Sequence, residues 1–231
     1  MRTLTPVLLG AFLAMACSKS TTAPKPTGYE CLGQAYPTSA PASITVSGTV
    51  ADFINGPLAG ARVYAFKTGT AGAIDSATTD AGGAFSMSVS TGGTPLDGYL
   101  KASKSGYIDT YAYPSAPLPA NAIISVPVVT SGEFGILAGM AGATQVAGNG
   151  ALGLLAVDCT GAAVTGATVT TSPSSSPYAY QSEFFVFNAP PGGTTVGASF
   201  QGHTFHSHSI LSVADAVTIT IIAPGPLSPP E

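Results

Sequence analysis

Three histidines fall within six residues, His203-Thr204-Phe205-His206-Ser207-His208, and the chain has no others. The segment TFHSHSILSV reads as a strand on which odd positions put Phe205, Leu211 and Val213 on the core face. His206 and His208 then share the opposite face two residues apart, near enough to grip one divalent ion. A site needs a third ligand and none adjoins them in sequence, so solvated strand histidines are the expectation, with no cofactor. Tyr107, Tyr111 and Tyr113, together with Tyr178 and Tyr180, offer flat faces for stacking a sugar ring; tyrosine is equally a good strand residue. Gly148-Asn149-Gly150-Ala151-Leu152-Gly153 spells G-x-G-x-x-G, but an apolar strand follows where phosphate binding needs a helix N-terminus, so it reads as a turn. No G-x-S-x-G, H-E-x-x-H, S-x-x-K or glycine-rich Lys-Ser/Thr loop occurs. With no nucleophile beside a base, no catalytic residue is expected and the chain does not read as an enzyme.

The three cysteines are Cys17, Cys31 and Cys159. Before the first stands a short basic start, Met1-Arg2-Thr3, and an apolar run from Leu4 to Ala16. That run is shorter than the roughly 20 residues a spanning helix needs, so residues 1–16 read as a secretion signal. Leu13-Ala14-Met15-Ala16-Cys17 resembles a bacterial lipobox, departing from it at Ala14 and Met15, which implies that Cys17 becomes a lipidated N-terminus. Ala14-Met15-Ala16 is also an A-x-A cleavage site, and both routes cut the same bond. Lipidating Cys17 leaves Cys31 and Cys159 as a pair, whereas ordinary cleavage leaves an odd thiol. In an oxidising envelope compartment that pair is expected to form a disulfide, fastening the segment before the first strands to a turn in the second half. SKSTTAPKPTG after Cys17 is a polar, Pro-punctuated tether. Ser18 is not the Asp that holds many lipoproteins at an inner membrane, so an exported, outer-membrane, lipid-anchored protein is expected.

Those residues must be held by strands. Only 8% of the chain is charged, 45% is hydrophobic, and 28 Gly and 19 Pro supply turns. Beyond the leader six Lys/Arg face eleven Asp/Glu, which leaves no basic patch and argues against nucleic-acid binding. Lys104 is the last basic residue, so residues 105–231 are acidic only. Short alternating runs (ITVSGTV, ARVYAF, AFSMSVS, YLKAS, YIDTYAY, AIISVPVV) end near Thr130. A second set follows: ALGLLAV, ATVTTS, EFFVFNA, TTVGASF, TFHSHSILSV and AVTITIIA. Between them residues 131–142 predict a short helix, capped by Ser131, with Phe134, Leu137, Ala138 and Ala141 on one face.

The two sets echo each other. Val50-x-Asp52 precedes Gly60-Ala61-Arg62-Val63, and Ala156-x-Asp158 precedes Gly166-Ala167-Thr168-Val169, with eight residues from Asp to Gly in both. Residues 44–113, through SGTVADFINGPLAGARVYAF, TDAGGAF and ASKSGYIDTY, resemble a carboxypeptidase regulatory-like domain, a transthyretin-like β-sandwich. VDCTGAAVTGATV and FNAPPGGTTVGAS resemble a divergent second copy lacking the T-D-x-x-G-x-F hairpin. The resemblance implies an all-β chain of two tandem Greek-key β-sandwiches with a short linking helix, and a non-catalytic module with no conserved active site. The expected layout is a signal peptide at 1–16, lipidated Cys and tether at 17–40, sandwiches at 41–130 and 131–225, and a Pro-rich tail at 226–231. The expected role is a structural, scaffold or adhesion module at the cell envelope. It contacts a membrane through its lipid and an unidentified protein or glycan partner. A carbohydrate-binding module is the alternative, and a metal-dependent enzyme using His206 and His208 the most distant one.

Overall fold

The computed structural model describes residues 27–227; the expected leader, the expected lipid anchor at Cys17, most of the expected tether and the end of the expected Pro-rich tail lie outside them. The first half holds β1 (Ser43–Asp52), β2 (Gly56–Pro57), β3 (Arg62–Lys67), β4 (Asp75–Thr78), β5 (Ala84–Ser90), β6 (Gly98–Ser103), β7 (Thr110–Tyr113) and β8 (Ala122–Val128). The linking helix α1 (Ser131–Met140) follows. The second half holds β9 (Gly150–Ala156), β10 (Thr168–Ser172), β11 (Tyr178–Tyr180), β12 (Glu183–Ala189), β13 (Gly192–Phe200), β14 (His203–Thr204), β15 (His208–Ser212) and β16 (Val217–Ile222). The chain is thus an all-β sandwich protein with one short helix among the described residues.

Alternation sets the strands. In β5, Phe85, Met87 and Val89 are buried while Ala84, Ser86, Ser88 and Ser90 face water, the period of two that a half-buried strand requires. The hairpin before it is fixed by Asp80, whose Oδ1 accepts the amides of Gly82 and Ala84 at 2.9 Å each. Gly83 sits at φ +74°, and a Cβ there would lie 2.5 Å from the Val50 carbonyl oxygen. Only glycine fits.

The two halves share one topology and one register. In the first, β1 pairs antiparallel with β5 (Val46 opposite Met87) and parallel with β8 (Val46 opposite Ala122). In the second, β9 pairs antiparallel with β12 (Leu152 opposite Val186) and parallel with β16 (Leu152 opposite Thr218). The facing layers match as well. β3–β6–β7 sets Val63 against Ala102 and Leu100 against Ala112, and β10–β13–β15 sets Val169 against Ala198 and Val196 against His208. The sequence echo marks the same corner in both halves. The Leu58 amide donates to Val50 and the Val164 amide to Ala156.

The halves are not strung like beads. β16 also pairs in parallel with β7, Val217 opposite Thr110 through Thr220 opposite Tyr113, so one eight-stranded sheet runs β11-β12-β9-β16-β7-β6-β3-β4 through both. Its faces exchange roles at this joint. Paired residues share a face, and Ile219, opposite Ala112, packs against the first core with Val63, Leu100 and Ala102. Thr218 and Thr220 stand beside Leu152 and Leu154 on the other face, which looks into the second core. Each half therefore lays its own smaller sheet on the opposite side of the shared one.

Residues 27–42 form a strap. Cys31 and Cys159 are disulfide-bonded across a sequence separation of 128. Tyr29, 5% exposed, enters the second core beside Phe200 and Phe205. The helix cap is Thr130, one residue earlier than the sequence suggested. The Thr130 hydroxyl accepts the Glu133 amide at 3.3 Å and the Glu133 carboxylate accepts the Thr130 amide at 2.7 Å, a reciprocal capping box that satisfies two otherwise unpaired donors. Leu137 and Ala138 are its buried residues. No helix among the described residues is long and apolar enough to cross a membrane.

Candidate functional site

Where the first small sheet stops at β8, the shared sheet continues beneath it uncovered. That step creates a groove of about 1060 Å³. Its floor is the half of the shared sheet that turns away from the second core: Ile219 and Ile221 of β16, Gly153 and Leu155 of β9, Phe185 and Phe187 of β12. Its side wall is β8, with Ile123 69% exposed, continued by the Pro114–Asn121 loop. At one end stands α1, whose Phe134 ring lies 5.6 Å from Phe187. At the other are Tyr36 and Pro37 of the strap with Pro226 and Leu227. Glu183 is the one charged residue lining it, its carboxyl held above the ordinary range by burial. Such a lining, largely apolar with a single carboxyl group, can bind apolar matter.

The opposite open face of the shared sheet lies over the first half and is aromatic. Phe66 and Tyr99 stack at 5.0 Å, Tyr99 and Tyr113 at 4.8 Å, and the Lys101 ammonium stands 5.6 Å from the Tyr111 ring centroid. The Asp109 carboxylate, 2.6 Å from Lys101, raises that ammonium's affinity for its proton. Burial raises the Tyr113 hydroxyl pKa, because this ring reaches the second core.

The five tyrosines singled out in the sequence do not converge. Tyr111 and Tyr113 join this aromatic face, where Tyr64, Phe66 and Tyr99 were not anticipated; their alternation along β3 and β6 was the available signal. Tyr178 and Tyr180 pair with Phe185 and Glu183 and so lie on the groove face. Tyr107 donates its hydroxyl to Asp52 at 2.8 Å, closing a strand-end turn. The amides of Asn55 and Ile54 also donate to Asp52, and the Asn55 bond first among these holds its carboxyl well below the usual range. Asp158 plays the same part in the second half. Burial raises its pKa, but the bonds from Thr160 and Ala162 outweigh that and leave it lowered.

His206 and His208 do not share a face, contrary to the sequence reading. Phe200 pairs with His203 and Ser199 with Thr204, but beyond the Phe205–Ser207 break Val196 faces His208, one residue out of step. The extra residue is a bulge, and a bulge reverses the parity of everything after it. His206 is left exposed against the Tyr36 ring at 4.8 Å. His208 turns inward, its Nε2 2.8 Å from the Thr220 hydroxyl, and burial pulls its pKa down to about 4. Leu211, placed on the core face by the sequence, is 45% exposed for the same reason. No group of three His, Cys, Asp or Glu able to hold a metal occurs among the described residues. Gly148–Gly153 is a turn running into β9, with no helix after it.

No protein-family model matches the chain, and no curated protein does. Among solved structures it is similar, at 11% identity and a TM-score of 0.29, to the Bacillus anthracis TIE protein, over 80% of this chain and 34% of that one. It therefore spans about a third of that protein's length. It is also similar to the shaft pilin SpaA of Lactobacillus rhamnosus GG (10% identity, TM-score 0.25, 83% of this chain and 100% of that one). A third is GBS52, the minor pilin of Streptococcus agalactiae (10% identity, TM-score 0.25, 81% and 98%).

Proposed function

We propose that this chain is a non-catalytic interaction module of the cell envelope, tethered through Cys17, with the groove between its two halves as its binding surface. The groove itself carries the reading: about 1060 Å³ of space, faced by aliphatic and aromatic side chains with one carboxyl group. A pocket of that size and lining takes up apolar surface. The register shared by the halves supports reading the second as a repeat of the first.

An environment-sensitive apolar dye added to the mature protein tests the groove. The parent should bind it saturably, and Ile221→Asp on the floor should abolish that uptake while the melting temperature moves by only a few degrees. Equal uptake by parent and variant would remove the groove as the binding surface. The address is tested separately. Cys17→Ala should abolish lipid labelling, and a variant that still fractionates with membranes like the parent would refute the anchor.

A second reading is favoured by the open aromatic face of Phe66, Tyr99 and Tyr111 beside Lys101, on which a sugar ring could lie. A glycan array tests it: binding lost in Tyr99→Ala supports a carbohydrate-binding module, and no binding by the parent refutes one.

A further inference from the structure

The groove has one polar wall, and it is made of backbone. In an extended strand successive residues turn their N–H and C=O groups to opposite sides. The Val128 carbonyl accepts the Phe53 amide on the β1 side, so Val126 and Ile124 also face β1. Ile123 and Ser125 turn their N–H and C=O groups away from it, toward the groove they line. No strand among the described residues pairs with this edge. Its counterpart in the second half, the outer edge of β16, is already occupied in parallel by β7. The repeat therefore contains one edge that has received a strand and a matching edge that has not.

We infer that the groove takes an extended peptide strand supplied by another protein, added to the free edge of β8, with alternate side chains lying on the Ile221 and Phe185 floor. This rests on the reading of the groove as the binding surface and names what binds there. Backbone donors and acceptors beside an apolar floor match a peptide, which pairs the first and covers the second. A hydrocarbon chain would cover the floor but bury Ile123 and Ser125 groups unpaired. With Glu183 as the only lining charge, the strand that fits is uncharged and apolar at every second residue. Pro127 lacks an N–H and limits pairing at the α1 end of β8.

The experiment titrates the full mature chain with a fluorescein-labelled alternating Thr-Val hexapeptide and with the same peptide N-methylated at alternate residues. The plain peptide should bind saturably and compete with the apolar dye. N-methylation, which removes donors without removing apolar surface, should weaken binding about tenfold or more, the equivalent of one or two net backbone hydrogen bonds. Ser125→Pro should do the same while dye uptake persists. Equal affinity for both peptides overturns strand addition. So does dye bound in the groove with no peptide competition, which leaves the groove reading standing. Concentration-dependent self-association that Ser125→Pro abolishes also overturns it, by making the occupant a second copy. Failure of the dye itself removes both.

Discussion

The halves have the same wiring, yet they are stabilised differently. The first core closes around Val50, Val63 and Val126 of its own strands, all fully buried, and takes only Ile219 from the second half. The second borrows Tyr29 from the strap, is fastened by Cys31–Cys159, and admits Thr218, Thr220 and His208 where the first has apolar or small side chains such as Ala112 opposite Leu100. Strand edges differ too. β4 continues the first half's β3, but Pro173 and Pro177 interrupt the segment after β10, and β11 pairs instead with β12 in the shared sheet. Topology thus survives a change of staples, provided the strand-end turns at Asp52 and Asp158 keep the corners in place.

Cutting the staple should make the largest difference. Cys31→Ser with Cys159→Ser opens a loop of 128 residues' separation and should cost about 4–5 kcal/mol on the chain-entropy model, an upper figure. Hydrogen exchange should quicken in β13 and β15 before β3 and β6. Equal quickening in both would show that the strap serves the whole chain rather than the second half.

Acid should separate the halves next. The unfolded His208 binds a proton at its ordinary pKa near 6.5, while the folded one waits until about 4. Between those values the unfolded state holds more protons, so stability falls as pH drops through that window and is level above it. The loss is on the order of 3 kcal/mol. His208→Ala, which copies the first half's Ala112, should flatten the slope in a pH series of denaturation midpoints. An unchanged slope would assign the acid sensitivity elsewhere.

The smallest effect compares the turn aspartates. Asp52 is buried and accepts the Tyr107 hydroxyl, whereas Asp158 is half-exposed. Asp52→Ala should cost about 2 kcal/mol and Asp158→Ala about 1 kcal/mol. Both carboxyls are held below their ordinary values in the folded chain. Their contributions are therefore present above about pH 4 and lost as pH falls below it, that of Asp52 persisting to the more acid value. Reversed costs from thermal melts would contradict the burial argument.

What could be read from sequence was local. Alternation located β5, a continuous apolar run located β12, glycine and aspartate located the turns, and the Asp-to-Gly spacing located the repeated corner. DSAT, β4, is too short and too polar to announce itself, and YAY, β11, too short. The reversed face of His208 came from one bulged residue, which no pattern of period two can reveal. The groove was hidden more deeply. Ile219 and Ile221 read as core residues of an apolar strand, and only the parallel pairing of β16 with β7, more than a hundred residues apart in sequence, puts them under an open step.

That pairing also governs the order in which the molecule can be made. β16 is the last strand of the described residues and lies fourth of eight across the shared sheet. Synthesis proceeds from the other end, so the two parts of the shared sheet stay apart until it arrives. A nascent chain halted before Val217 displays two unpaired edges, on β7 and β9, each beside apolar faces with no cover. Edges of that kind recruit one another between chains. The molecule is most prone to clump in the interval before β16 arrives, and a chaperone holding it through that interval would need to cover those two edges more than any other part.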